Sequence, residues 1–273
     1  MQTDFTLSNG NLMPAVGAGT FRIEDDDLTA ATVKTAIDAG YRHIDTACIY
    51  GNESGVGRGI KESSIKREDI FLTTKIWNED LRAGAGRVKD ACKESLKRLD
   101  TDYVDLLLVH WPTGNYKEYW RSFEELQREG FTKNIGVSNF NMRMLDELLP
   151  VCEIKPAVNQ VELHPHLTQK PLLKYCDRKE IVLTAWSGFM VGELLKNSQI
   201  LKLAKKYNKT AAQIILRWNY QNGVISIPKS VHKARLEENI DIFDFTIDFD
   251  DLKLIDALDK NLRGGPNPEN FDF

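Results

Sequence analysis

The chain has 273 residues, 42% of them hydrophobic and 28% charged, with a net charge of −4 and a pI of about 5.8. That is material for one large core, and without a basic excess neither nucleic acid nor an anionic membrane surface is an expected partner. Cys48, Cys92, Cys152 and Cys176 form no CxxC pair, nothing like an export signal follows Met1, and no apolar run approaches the roughly 18 residues of a membrane span, so a cytoplasmic protein with free thiols is expected.

Taken in order, the chain opens on apolar residues alternating around Asn9-Gly10, the dipeptide suited to a two-residue hairpin turn. An apolar run, a polar break and an amphipathic helix then repeat about every 25 to 40 residues, the rhythm of βα units. Strands are expected at 15–19, 43–45, 71–75, 105–110, 134–137, 157–161, 182–185 and 224–227. Helical patterns fill the gaps, for example at 28–38, 86–99, 116–128, 141–149 and 211–220. Eight strands alternating with helices predict a single (β/α)8 TIM barrel domain over residues 1–273. Two features exceed the minimal barrel. Residues 187–198, with Gly188 and Gly192, suit a loop lying over a ligand. Residues 249–258 read as an added helix, and the non-helical tail 263–273 is long enough to cross the barrel mouth.

Several strand ends carry chemistry. Asp45, Lys75, His110, Ser138 and Asn139 all fall where parallel barrel strands open onto one mouth, and Tyr50 follows Asp45 by five residues. A lysine on a barrel strand needs an anion, and Asp45 on the adjacent strand supplies one. A cation held against Tyr50 is expected to lower its pKa and make it a proton donor and acceptor near neutrality. Singly, these are an ion pair, an amphipathic tyrosine and a core histidine; their convergence favours catalysis.

Other chemistries find less support. His164-Pro-His166 is a two-ligand fragment, with Glu162 expected on the opposite face of its strand, so no metal is expected. No GxSxG turn is present. A Schiff base on Lys75 stays open, although pairing with Asp45 would keep that amine protonated. Gly17-Ala-Gly19-Thr-Phe-Arg22 is not a Rossmann loop, because Arg22 stands where the third glycine belongs. Lys229 and Ser230 after the eighth strand, with Arg235 at the start of the next helix, form a candidate phosphate site or simply a charged helix start.

Six ordered blocks carry a family resemblance. They are Asp-Thr-Ala-x-x-Tyr-x-Asn-Glu at 45–53, Thr-Lys-Ile-Trp at 74–77, Leu-Val-His-Trp-Pro at 108–112, Ile-Gly-Val-Ser-Asn-Phe at 135–140, Asn-Gln-Val-Glu at 159–162 and Ile-Pro-Lys-Ser at 227–230. Over nearly its whole length the chain resembles the aldo-keto reductases, in particular a compact branch that includes 2,5-diketo-gluconate reductases and prostaglandin F synthase-like enzymes. The resemblance implies NADPH-dependent reduction of aldehydes or ketones, with a tetrad of Asp45, Tyr50, Lys75 and His110. Tyr50 would donate a proton to the carbonyl oxygen, His110 would orient that carbonyl, and Lys75 with Asp45 would poise Tyr50. It further implies Ser138, Asn139 and Gln160 as carboxamide ligands, Trp186 as the aromatic that stacks on the nicotinamide, and Thr20 and Ser187 as neighbouring contacts. Lys229, Ser230 and Arg235 would grip the 2′-phosphate, with Glu238 and Asn239 at the adenine, which favours NADPH over NADH. Phe21, Ile49, Trp77 and Trp111 would line the substrate pocket, and a monomer is expected. After Trp186 the family usually reads Ser-Pro-Leu, whereas Gly188 and Phe189 stand here, so a more flexible pyrophosphate loop is expected. Two other readings are a non-catalytic NADP(H)-binding redox-sensing module and a barrel lyase working through Lys75.

Overall fold

A computed structural model describes residues 4–271 and 273; Asp272, within the expected tail, and residues 1–3 lie outside the described residues. A hairpin of β1 (Asp4–Thr6) and β2 (Leu12–Pro14) comes first. The sheet follows as β3 (Ala18–Gly19), β4 (His43–Asp45), β5 (Phe71–Ile76), β6 (Leu106–Val109), β7 (Ile135–Ser138), β8 (Val158–Glu162), β9 (Val182–Trp186) and β10 (Val224–Ser226). Each strand pairs in parallel with the next in sequence. The expected strand at 15–19 is divided between two neighbours. Residues 18 and 19 pair with β4, whereas Gly17 N donates to Ser226 O at 2.8 Å and Ser226 N to Ala15 O at 3.0 Å. That second set joins the last strand to the first and closes the barrel.

The helices are α1 (Asp26–Asp38), α2 (Glu53–Glu62), α3 (Asn78–Arg82), α4 (Ala85–Leu99), α5 (Tyr116–Arg128), α6 (Met142–Leu148), α7 (Lys170–Arg178), α8 (Ser198–Tyr207), α9 (Ala211–Gln221), α10 (Lys233–Ile240) and α11 (Phe249–Asp256). Local chemistry sets their starts: Asp25 accepts from Leu28 N at the head of α1, and Thr210 and Gln213 form a reciprocal capping box at the head of α9. Each amphipathic helix turns one stripe inward, as α4 does with Val88, Ala91, Cys92, Leu96 and Leu99.

Strand alternation sorts the core into two volumes. Ile44, Leu72, Ile76, Leu107, Val109, Ile135, Val137, Val161 and Leu183 face outward and join the helices in the larger cluster. The residues between them face the barrel interior, where Phe71, Leu106, Leu108, Val158 and Ile225 pack against Leu7 and Met13 of the hairpin. The hairpin thus plugs the base, and the polar residues one or two steps further along each strand are left to form the opposite mouth. The loop 187–198 carries short turns at Met190–Gly192 and Leu194–Lys196. Within it Ser187, Met190 and Val191 adopt φ values of 57°, 45° and 52°, costly for a β-branched valine in particular.

Candidate active site

Alternation on β4, β5 and β6 puts Asp45, Lys75 and His110 on the interior side, above the apolar plug. Lys75 is fully buried, and its Nζ donates to Asp45 Oδ1 at 2.6 Å and to Thr46 O at 2.7 Å. The Tyr50 hydroxyl is 3.4 Å from the same Nζ, and the Tyr50 and His110 rings meet edge to face with centroids 5.8 Å apart. All four groups therefore occupy one corner of the mouth.

The loop that delivers Tyr50 is held by the two residues after it and Gly51. Asn52, fully buried, donates to Thr20 O at 2.9 Å and Ile23 O at 2.8 Å and accepts from Thr46 Oγ1 at 2.9 Å. Glu53 accepts from Thr74 Oγ1 at 2.6 Å and from Arg98 Nε at 2.7 Å. These scaffolding roles escaped the sequence reading; the only signal was their place in the first motif block.

The electrostatics differ from the expectation at Tyr50. Burial pushes the Tyr50 phenol up, and this outweighs the downward pull of Lys75, so its pKa lies above the ordinary value rather than below it. Burial also works against the Lys75 ammonium, but Asp45 and Tyr50 more than offset it and raise that pKa. His110 is held well below the ordinary histidine value by burial and then by Lys75, so its imidazole is neutral. At neutral pH the corner holds a protonated phenol, a protonated amine and a neutral imidazole. A Schiff base on Lys75 would require loss of a proton that Asp45 retains and access that full burial denies.

The candidate cofactor residues fall along the same rim. Ser138 Oγ donates to Gln160 O at 2.7 Å, and Gln160 Nε2 donates to Asp45 Oδ2 at 2.7 Å. Asn139, at φ 66°, gives its Nδ2 to His110 O at 3.0 Å and receives Trp186 Nε1 on its Oδ1 at 2.9 Å. Thr20 is buried and donates to Asp45 O at 3.0 Å. Ser230 accepts from His232 N at 3.1 Å, Asn239 is buried, and Glu238 accepts from Thr210 Oγ1 at 2.7 Å. Lys229 and Arg235 are exposed and, among the described residues, neither pairs with an acid. Cations free of protein partners on a loop and first helical turn fit a phosphate.

The substrate side is aromatic. Phe21 and Ile49 sit exposed at the rim, with the Phe21 ring 5.0 Å from that of Tyr50. Trp77 lies 5.0 Å from the His110 ring, and Trp111 is buried. The tail crosses the mouth as its length predicted: Phe273 stacks on Trp77 at 5.7 Å, and Phe271 meets Trp111 at 4.9 Å. Arg82 Nη2 and Asn78 Nδ2 hold the Phe273 carbonyl oxygen at 2.7 and 3.1 Å, two anchors the sequence reading missed.

A second expectation is overturned. Glu162 does not face away from His164: its Oε1 lies 3.2 Å from His164 Nε2. Residues two apart in extended chain share a face, and the intervening Leu163 is the one that turns outward into the core. The Cys48 thiol, between Asp45 and Tyr50, is pushed up to about 12 by burial and then by Glu53, which leaves it inert.

Residues 15–260 match the model of the aldo/keto reductase family. A Bacillus subtilis glyoxal reductase is 51% identical, with 98% of this chain and 96% of the relative covered. The Escherichia coli methylglyoxal reductase DkgA is 41% identical over 98% of both chains. Among solved structures, a Bombyx mori aldo-keto reductase in complex with NADP superposes with a TM-score of 0.92 at 36% identity, covering 98% of this chain and 99% of that one.

Proposed function

The chain belongs to the aldo/keto reductase family, and on that premise we propose that it is an NADPH-dependent reductase of small aldehydes and ketones with Tyr50 as general acid. The observation that carries this reading is the Tyr50 hydroxyl held 3.4 Å from a buried, Asp45-paired Lys75 beside a neutral His110.

When bound, the reduced nicotinamide supplies the hydride. Tyr50, its pKa raised by burial, keeps its proton until a carbonyl oxygen gaining charge can take it. Lys75 then stabilises the phenolate that remains, at a distance where a buried ammonium acts strongly. His110, neutral, can hydrogen-bond the same oxygen without competing for the proton. Ser138, Asn139 and Gln160 would hold the carboxamide, Trp186 would stack on the ring, and Thr20 and Ser187 would lie beside it. Lys229, Ser230 and Arg235 would take the 2′-phosphate, with Glu238 and Asn239 at the adenine.

The substrate class follows from the wall and the relatives. Phe271 and Phe273 already fill space against Trp111 and Trp77, which leaves a site suited to small carbonyl compounds such as glyoxal and methylglyoxal, the compounds named for two of the relatives. We place the enzyme in the cytoplasm as a monomer whose residues 1–273 form one domain. The test is to follow nicotinamide absorbance on mixing purified protein, NADPH and methylglyoxal. Steady oxidation with NADPH and much slower oxidation with NADH is the expected result; tight NADPH binding without turnover would sink the reading.

A further inference from the structure

Glu162 is a fully buried carboxylate that the proposed chemistry does not use. Burying such a group is costly unless it is compensated, and beside His164 Nε2 at 3.2 Å from Oε1 the compensation comes from the tail. Glu162 Oε1 accepts from Gly264 N at 2.6 Å and Gly265 N at 3.1 Å, while Arg263 Nη1 lies 3.8 Å from Oε2. Two successive amides aimed at one carboxylate make a clamp. The stem of the tail is fastened beside it, with Lys260 N and Leu262 N donating to His166 O at 3.1 and 3.0 Å.

The clamp sits next to Trp186. Glu162 and Trp186 are register partners on β8 and β9. At Gly265 the main chain comes so close that a Cβ would lie 2.5 Å from Trp186 Cη2 and 2.9 Å from Cζ3. At its other end the indole donates Nε1 to Asn139 Oδ1 at 2.9 Å. The ring is thus held between Asn139 and the clamped tail, and no side chain fits at Gly265 without moving it.

We propose that Glu162 and Gly265 are positioning residues for Trp186: the buried carboxylate pins the tail so that the bare main chain of Gly265 sets where the indole lies. This rests on Trp186 stacking on the nicotinamide in the reading above. The nicotinamide is common to both nucleotides, so disturbing the clamp weakens NADPH and NADH together, unlike loss of a phosphate contact.

Calorimetric titration of both nucleotides tests this on the wild type, Gly265→Ala, Trp186→Phe and the double variant. Gly265→Ala is expected to weaken both about tenfold, the cost of overpacking against a held ring. Phenylalanine at 186 lacks the atoms that the new methyl would strike, so adding Gly265→Ala to Trp186→Phe should cost about twofold or less. Glu162→Gln retains an acceptor for the two amides and should bind within about twofold of wild type, whereas Glu162→Ala should resemble Gly265→Ala. Wild-type affinity in Gly265→Ala, losses that simply add in the double variant, or a loss confined to NADPH would each overturn the positioning role. Wild-type affinity in Glu162→Ala would overturn it for Glu162. Failure of the wild type to bind either nucleotide would instead overturn the cofactor reading, and this inference with it.

Discussion

Lys75 and Lys229 both stand where a barrel strand meets the mouth, and their surroundings are opposite. Lys75 is 0% exposed and 2.6 Å from Asp45; Lys229 is exposed and, among the described residues, pairs with no acid. The same contrast separates the interior, which also holds His110 and His43, from the outer rim of Arg235 and the loop after Trp186. The groups proposed to act on a proton are fixed and desolvated in advance, so they would need no reorganisation when a substrate arrives. The two cations proposed to hold the phosphate, Lys229 and Arg235, stay wet until a ligand pairs with them.

The contrast is broken most sharply by Tyr50→Phe. Removing the hydroxyl deletes the proposed proton donor, so kcat should fall by about 10²- to 10⁴-fold while the Kd for NADPH barely changes. A kcat within a few-fold of wild type would move the chemistry elsewhere.

Acid should also act on the interior. Burial, aided by Lys75 and opposed by Asp45, lowers the pKa of His43 to about 4, and His110 shifts the same way. Below the ordinary value of 6.5 the unfolded chain takes up these protons and the folded one does not. Stability should therefore be level above that value and fall as pH drops toward 4, by on the order of 3 kcal/mol from His43 alone. Urea-unfolding midpoints against pH report the slope, and His43→Gln should flatten it.

Effects at the rim are smaller and confined to binding. Arg235→Ala should weaken NADPH about tenfold, as expected for one charge-assisted contact, and leave NADH nearly unchanged; equal weakening of both would remove Arg235 from the phosphate. The mildest change is Gly188→Ala. A Cβ there meets only Asn219 Nδ2, at 4.0 Å, so the extra methyl should stiffen the loop and tighten NADPH by less than about 1 kcal/mol. Unchanged affinity would mean that the loop's mobility is not set at this residue.

The barrel and the meeting of Asp45, Tyr50, Lys75 and His110 at its mouth were legible in the sequence because both follow from local pattern. Strand alternation fixes which of residues 43, 45, 73, 75, 106, 108 and 110 point inward, and the chemistry sits at strand ends. The direction of the Tyr50 shift was not legible, since it depends on how far burial outweighs Lys75, a quantity only packing determines. Nor were the contacts of Glu162 with Gly264 and Gly265, which join residues about a hundred positions apart through main-chain amides that carry no residue signature. Asn52 and Glu53 were visible as letters of a motif, but their scaffolding role required the positions of Ile23, Thr74 and Arg98.

The thiols have a bearing on endurance. Cys48, Cys92, Cys152 and Cys176 are each pushed up to about 12, by burial above all, which disfavours the reactive thiolate at neutral pH. Dicarbonyl compounds condense with thiolates, free amines and guanidines, and a protein proposed to turn them over would work in a solution that corrodes proteins. This one keeps its sulfurs protonated and the amine nearest its chemistry, Lys75, charged and out of reach. Lys229 and Arg235 are exposed to such wear, and a bound nucleotide phosphate would shield both.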